Sequence, residues 1–311
     1  MGPRPRPPQP DDPGRPSQDW EMGVASPVIT SLHNPRIVEA RKLRQRKYRH
    51  RQGRFLVAEV TLLHMALEAG ARPLEVFYCE SQLTAPHALA ELERVLRSGA
   101  ESVAVSPRVM EALAERETPQ GLAATFALFE VAPGDVPLTG CELVVVVDRL
   151  QDPGNLGTLI RTADAVGAAA VVLIEPCVDP FDPKTVRGTM GSLFNVPLAR
   201  TSDVAGLFSD LSEKGLRLVG ADAQQGKAWG AGLWEGGVAL VVGNEARGLS
   251  RDVRPFIQAW ARLPIAGKAE SLNVAVAGGV FMYTWLRANL RDQGDNQERA
   301  SGAQQHVGQN N

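Results

Sequence analysis

Three short stretches, far apart in the 311-residue chain, hold residues that could do chemistry. The first, DPGNLGTLIRTADAVG (Asp152–Gly167), follows the apolar run LVVVVD (Leu143–Asp148) and places Asn155 and Arg161 six residues apart. The second, GNEARGLS (Gly243–Ser250), holds Glu245, and the third, LPIAGKAESLN (Leu263–Asn273), ends on Ser271, Leu272 and Asn273. The first stretch has neither G-x-G-x-x-G nor G-x-x-x-x-G-K-[ST], so it is not a dinucleotide or P-loop turn. All five histidines (His33, His50, His64, His87, His306) lie outside the three stretches, which removes the raw material for Ser-His-Asp or His-metal chemistry. No acidic cluster suits a pair of metal ions either. What remains is a site that positions a polar substrate and stabilises charge with one arginine and no histidine base.

Each of these residues also has a plain structural use. Asn155 between two glycines could be a turn residue and N-cap for a helix starting near Leu156. Arg161 could pair with Asp164 at i+3. Glu245 could cap a helix beginning near Ser250 or bind a backbone N–H, and Ser271 and Asn273 could cap the last helix. Read singly they stay ambiguous; together, three such loops on one sheet edge point to a site.

The elements that must position them follow from apolar periodicity. Strands are expected at Leu143–Val147, Ala170–Ile174, Leu216–Ala221, Val238–Val242 and Trp260–Leu263, with helices at Leu156–Val166, Pro183–Leu193, Val204–Glu213, Ser250–Ile257 and Leu272–Arg287. Short apolar strands alternating with helices predict an α/β fold with a parallel sheet covered on both faces. In such sheets ligands bind at loops leaving the carboxyl ends of the strands, where all three stretches fall.

Ahead of this lies a smaller α/β pattern. A helical stretch from SLHNPR (Ser31–Arg36) to Tyr48 leads to a strand at Arg54–Val60, a helix at Thr61–Glu68 and a strand at Leu74–Glu80. A helix at Ala88–Arg97, a strand over SVAVS and a helix at Pro107–Glu115 complete it. The expected organisation is a disordered Pro-rich tail (1–27), a small domain (28–130), a linker (131–140), a larger domain (141–290) and a disordered polar tail (291–311).

Charge is uneven. The segment Pro35–Arg54 holds nine Lys/Arg and one acid, Glu39, whereas the rest of the chain carries 24 basic against 34 acidic residues. Such a run can be a solvated helix face. It can equally be a phosphate-contacting surface made by Arg41, Lys42, Arg44, Arg46, Lys47, Arg49 and Arg51, because nucleic acid requires clustered cations. Cys79, Cys141 and Cys177 are far apart with no C-x-x-C pair, which fits a reducing cytoplasm and argues against a disulfide framework or zinc site. No apolar run is long enough to span a bilayer, and the acid-bearing N-terminus reads as neither a signal nor a good transit peptide.

The three stretches, extended to DPGNLGTLIRTADAVGA, LVVGNEARGLS and LPIAGKAESLNVAVAGG, resemble the motifs of the SpoU/TrmH branch of the SPOUT methyltransferases. The order Asn, Arg, Glu, Ser-Leu-Asn is that family's, the segment Asp179–Leu198 resembles its connector, and the resemblance covers roughly Cys141–Arg287. It implies methyl transfer from S-adenosylmethionine to a ribose 2′-hydroxyl of RNA, with no metal. Asn155, Arg161, Glu245, Ser271 and Asn273 would form the catalytic set, and Gly243, Leu263 and Leu272 the cofactor positions. It further implies a trefoil knot in the C-terminal part of this domain and a homodimer. ITSLHNPRI, ARKLRQRKYRHRQGRFLVAE and TPQGLAATF resemble the ribosomal-protein-like substrate domain of rRNA-directed members, which favours rRNA, of the 23S large-subunit type, over tRNA. The chain departs from the pattern at Ala246-Arg247, Thr189 and LVAEV, none of which is in the catalytic set. Two other classes are weighed: an inactive RNA-binding or ribosome-assembly factor with the same fold, and a nicotinamide oxidoreductase using Glu175 as the ribose acid. The intact five-residue set argues against the first and the missing G-x-G-x-x-G against the second.

Overall fold

The computed structural model describes residues 27–305, apart from 85, 115–118, 230 and 231. The expected N-terminal tail lies outside the described residues save for Pro27. The small domain runs α1 (Pro35–Lys42), α2 (Arg46–Gln52), β1 (Arg54–Val57), α3 (Val60–Glu68), β2 (Pro73–Tyr78), α4 (Pro86–Arg97), β3 (Glu101–Ala104), α5 (Pro107–Ala114) and β4 (Leu122–Ala127). Its sheet has the order β1-β4-β2-β3, with β4 antiparallel to both neighbours and β2 parallel to β3. β4 reads LAATFA; small residues blur its alternation, yet Leu122, Ala123, Ala124, Thr125 and Phe126 are all buried.

The single helix expected up to Tyr48 is in fact two. Buried Leu43 closes α1, and Gln45 turns extended at φ −100°, ψ 130° before α2 begins. The carbonyls of Leu43 and Arg44, freed at the break, each accept from Nη1 of Arg49 at 2.8 Å. A side chain thereby satisfies the backbone groups that a continuous helix would have paired internally.

The larger domain continues with β5 (Leu143–Asp148), α6 (Pro153–Ala165), β6 (Ala170–Ile174), α7 (Pro183–Thr189), β7 (Leu198–Thr201), α8 (Val204–Glu213), β8 (Arg217–Ala221), β9 (Lys227–Ala228), β10 (Val238–Val242), β11 (Ala259–Arg262) and α9 (Val274–Gln305). Among the described residues its seven strands lie in the order β7-β6-β5-β10-β8-β11-β9, and every neighbouring pair is parallel. All residues of β5, β6 and β10 are buried, the consequence of helices on both faces. The chain leaves β5 toward β6 on one side, while β10 flanks it on the other. The crevice at the carboxyl ends of β5 and β10 is thus a topological switch point.

Two expected elements differ. Over Ser250–Ile257 there is only a 3-10 turn at Arg254–Phe256, because Pro255 keeps the preceding residue out of a regular helix. The last helix continues to Gln305, into residues expected as a polar tail; that stretch contains no proline to stop it.

The two domains share a core. Phe55 lies 4.9 Å from Phe181 between ring centroids, and Phe126 lies 5.3 Å from Phe194. Phe129, in the segment after β4, meets Phe181 edge-on at 5.2 Å. The stretch expected as a linker runs along β7, with Val131 N donating to Leu198 O at 2.8 Å.

Candidate active site

α6 starts at an Asp-Pro pair. Asp152 is its N-cap and accepts from Asn155 N at 2.8 Å, and Pro153 opens the first turn, where a missing N–H costs nothing. Asn155 is therefore not the cap suggested by its neighbouring glycines but a residue of the first turn, with its side chain free for other work. α7 starts the same way: Asp182 accepts from Lys184 N at 2.9 Å and Pro183 follows.

The side chain of Asn155 joins the other two loops. Its Nδ2 donates to Glu245 Oε1 at 3.0 Å, and its Oδ1 accepts from Asn273 Nδ2 at 2.9 Å. Glu245 does not cap a helix near Ser250. Its carboxylate accepts instead from the backbone N–H groups of Asp152 at 3.1 Å and Gln151 at 3.4 Å. Asn273 has two tasks, since its Oδ1 also caps α9 by accepting from Ala275 N at 2.9 Å. Three loops spread over 118 residues of chain are held together by three polar side chains.

The second loop is anchored at both ends by the close of β5. Buried Asp148 accepts from Ser250 N at 2.6 Å, and Asn244 Nδ2 donates to Arg149 O at 3.0 Å. Arg149 adopts φ 56°, and its side chain pairs with Asp252. Asn244 and Gly248 bridge to each other, and a Cβ added at Gly243 would lie 2.3 Å from the Gly248 carbonyl carbon. Gly243 is thus required by the loop's own backbone.

Arg161 does not pair with Asp164, which accepts from Asn195 Nδ2 at 3.1 Å. It stands on the exposed ridge of α6 with Thr158 and Ala165, with no hydrogen bond or ion pair among the described residues. Six residues of helix set it about 9 Å along the axis from Asn155. α7 flanks this ridge on one side, where a Cβ at Gly157 would lie 2.9 Å from Gly188 Cα. On the other side α9 packs on α6, with Leu159 against Gly278. Lys184 Nζ contacts Asp152 Oδ2 at 3.1 Å. The Asn155 N–H and then Lys184 hold the Asp152 carboxyl below its ordinary range.

Ser271 and Leu272 are exposed at the end of the third loop, and Leu263 is partly buried at its start. Ser271 makes no hydrogen bond among the described residues, so the structure brings together Asn155, Glu245 and Asn273 but not Ser271. The backbone of Pro264–Leu272 is likewise without hydrogen bonds among the described residues. A loop with unused N–H and C=O groups between two leucines fits an adenine, which wants apolar walls and backbone hydrogen bonds rather than a charged clamp. No group of metal-ligating side chains occurs among the described residues, and no helix there is long and apolar enough to cross a membrane.

The basic segment divides in two. Arg49 was expected on an RNA surface, but it is 1% exposed and donates from Nε and Nη2 to Asp179 of the larger domain at 2.9 and 2.6 Å. It is a buried interdomain anchor and not an RNA contact. Its charge is needed because Asp179 is itself buried, and a buried ion requires a partner. Arg46 reaches Glu175 at 2.9 Å and the Cys177 carbonyl at 3.0 Å, and Arg44 donates to the Ala112 carbonyl. Arg41 is half-buried in the last turn of α1. Lys42, Lys47 and Arg51 gather around the Tyr48 ring, with Lys42 and Arg51 also on Glu39.

Asp152, Lys184, Asp148 and Asn244 are functional positions beyond those expected from the sequence. The Asp-Pro pairs were a legible signal for the two caps; nothing local marks Asp148 or Asn244, whose partners lie about a hundred residues away.

Comparison with known proteins decides the family. Residues 142–283 match the SpoU rRNA Methylase family, and residues 34–124 match an MRM3-like substrate binding domain. The chain is 32% identical over 255 residues to the 23S rRNA (guanosine(2553)-2′-O)-methyltransferase RlmP of Bacillus subtilis, covering 82% of this chain and 97% of that protein. This chain belongs to the SpoU rRNA methylase family. Its fold matches the AdoMet-bound rRNA methyltransferase of Sinorhizobium meliloti with a TM-score of 0.76 and 31% identity, over 84% of this chain and 97% of that one. It also matches the SpoU methyltransferase AviRb of Streptomyces viridochromogenes in complex with AdoMet, at a TM-score of 0.74 and 30% identity, over 82% and 97%. Members of this family use S-adenosylmethionine, and this SpoU enzyme has the same cofactor.

Proposed function

We propose that this SpoU enzyme methylates a ribose 2′-hydroxyl in large-subunit, 23S-type rRNA. The observation that carries the reading is the Glu245–Asn155–Asn273 chain of hydrogen bonds beside an exposed Arg161 that has no partner among the described residues. S-adenosylmethionine, when bound, supplies a methyl group on a sulfonium centre. Leu263, Leu272 and the unused backbone between them would hold it, with the Gly243 loop alongside.

A ribose hydroxyl is a weak acid, and a guanidinium offers donors but no acceptor to take its proton. Arg161 therefore acts by electrostatics: it grips the phosphate next to the target ribose and favours the developing alkoxide. The proton leaves to that phosphate or to solvent. Glu245 braces the turn that presents Asn155, Asn155 and Ser271 orient the ribose, and Asn273 fixes the third loop to the first. Fixed orientation alone can contribute on the order of 7–11 kcal/mol in well-aligned reactions.

The outer face of α2 around Tyr48 binds RNA backbone through Lys42, Lys47 and Arg51, with Arg41, Arg44 and Arg46 adding positive potential at its base. The enzyme works as a cytoplasmic homodimer. Support comes from α9, where Leu272, Val276, Val280 and Tyr283 form an exposed apolar stripe from the third loop down one helix face. A trefoil knot follows from the family resemblance, and the return of α9 from the far side of the sheet onto α6 supports it. Mapping 2′-O-methylation in cells with and without the protein tests the reading. One large-subunit rRNA position should lose its methyl group in the deletion strain; an unchanged map would favour an assembly factor.

A further inference from the structure

The basic face of α2 and the catalytic turn are separate places on the molecule, and α7 lies between them. Arg46 and Arg49 of α2 hold the 175–182 loop, through Glu175, the Cys177 carbonyl and Asp179. That loop leads directly into α7, whose first side chain beyond Pro183 is Lys184 at Asp152. From there α7 runs beside α6 in the same direction, Lys184 near Gly154 and Gly188 against Gly157.

α7 buries Thr185, Val186 and Thr189 and turns Lys184 and Arg187 outward. Lys184 is 58% exposed despite its contact with Asp152. Arg187 is exposed at the mouth of a cleft between the domains, near Arg44, Leu56 and Leu113, and has no hydrogen bond or ion pair among the described residues. The nearby acids are already engaged: Asp152 by Lys184 and Asn155 N, and Asp182 by the α7 cap and by Arg49 at 3.7 Å, while Glu59, which lines the same cleft, is not free either. Outside Pro35–Arg54 acids outnumber bases by ten, so two arginines without an acidic partner among the described residues, Arg161 and Arg187, beside one lysine on adjoining helix ridges stand against the background.

We propose that Lys184 and Arg187 hold RNA backbone phosphates, carrying the strand from the Tyr48 face of the small domain to Arg161. A polyanion satisfies Arg187 and Arg161 at once and follows the line of the ridges, which a compact protein partner would not need to do. The inference rests on RNA being the substrate.

The test is the salt dependence of binding to transcribed large-subunit rRNA for the wild type, Lys184→Ala, Arg187→Ala and Arg187→Glu. Each alanine should weaken affinity severalfold and lower the slope of log K against log salt by about 0.7–0.9, the value of one phosphate contact. Arg187→Glu should weaken binding further. S-adenosylmethionine affinity should stay unchanged, and so should RNA affinity in Arg97→Ala on α4. If the wild type binds and methylates rRNA while Arg187→Ala keeps the full slope, the strand does not cross α7 and the proposal fails alone. A wild type with no affinity for rRNA would overturn the substrate reading and this proposal with it.

Discussion

Nδ2 of Asn155 donates to Oε1 of Glu245 at 3.0 Å, joining residues 90 positions apart in the chain. Because Oδ1 of the same amide accepts from Asn273, the amide can take only one orientation. The loops after β5, after β10 and before α9 therefore meet at a single side chain, on the edge of the crevice where β5 and β10 end.

Asn155→Ala should cut methyl transfer by roughly one to two orders of magnitude. A hydrogen bond to a charged group is worth about 1.5–3 kcal/mol, and Glu245 would lose its side-chain donor. Asn155→Asp should be no better, because it sets a second carboxylate against Glu245. Single-turnover rates at saturating cofactor measure both, and a near-normal Asn155→Asp would show the contact to be incidental.

Arg49→Ala should lower unfolding stability by up to about 3–5 kcal/mol, since it removes both short bonds to buried Asp179 and leaves it only the more distant Arg200 at 3.7 Å. Removing any other cation of the segment at the Tyr48 face should cost little stability. Urea unfolding of Arg49→Ala and Lys47→Ala distinguishes them, and equal midpoints would contradict the buried anchor.

Thiol labelling reports the docking of the domains. Burial pushes the Cys177 thiol up to about 11, so at pH near 8 it stays protonated and shielded. Cys79 is also buried, whereas Cys141 is exposed. Native protein should therefore react at one cysteine and unfolded protein at three. Arg49→Ala should add Cys177 as the 175–182 loop loosens; fast labelling of native Cys177 would mean the loop is not closed down by α2.

Sedimentation at micromolar concentration should give twice the 33.4 kDa chain mass. Val280→Arg on the exposed face of α9 should shift it to the monomer without unfolding the protein. A wild-type monomer would remove the assembly expected from the apolar stripe.

The parallel sheet was legible because both-face burial leaves nearly unbroken apolar strands such as LVVVVD and VALVV. The three loops were legible because polar residues at strand ends are conspicuous against that pattern. β4 was not, since LAATFA lacks alternation and draws its place from the strands on either side. The fate of the basic run was not legible either. A buried arginine and a solvated one look alike in a row of Lys and Arg, and only the helix break at Leu43–Gln45, with Asp179 130 residues away, separates Arg49 from the rest.

Arg161 is the centre of the account, and its replacement tests it most directly. Methyl transfer from labelled S-adenosylmethionine to large-subunit rRNA should be compared in wild type, Arg161→Ala and Arg161→Lys, with cofactor affinity measured alongside. The alanine variant should lose roughly 10²–10³ in rate, as when one preorganised charge-stabilising donor is removed, with cofactor affinity nearly unchanged. Lysine should rescue poorly, because an ammonium cannot reproduce the planar fork. Near-normal turnover by Arg161→Ala would contradict the account and leave Arg161 as a solvated residue on the ridge of α6.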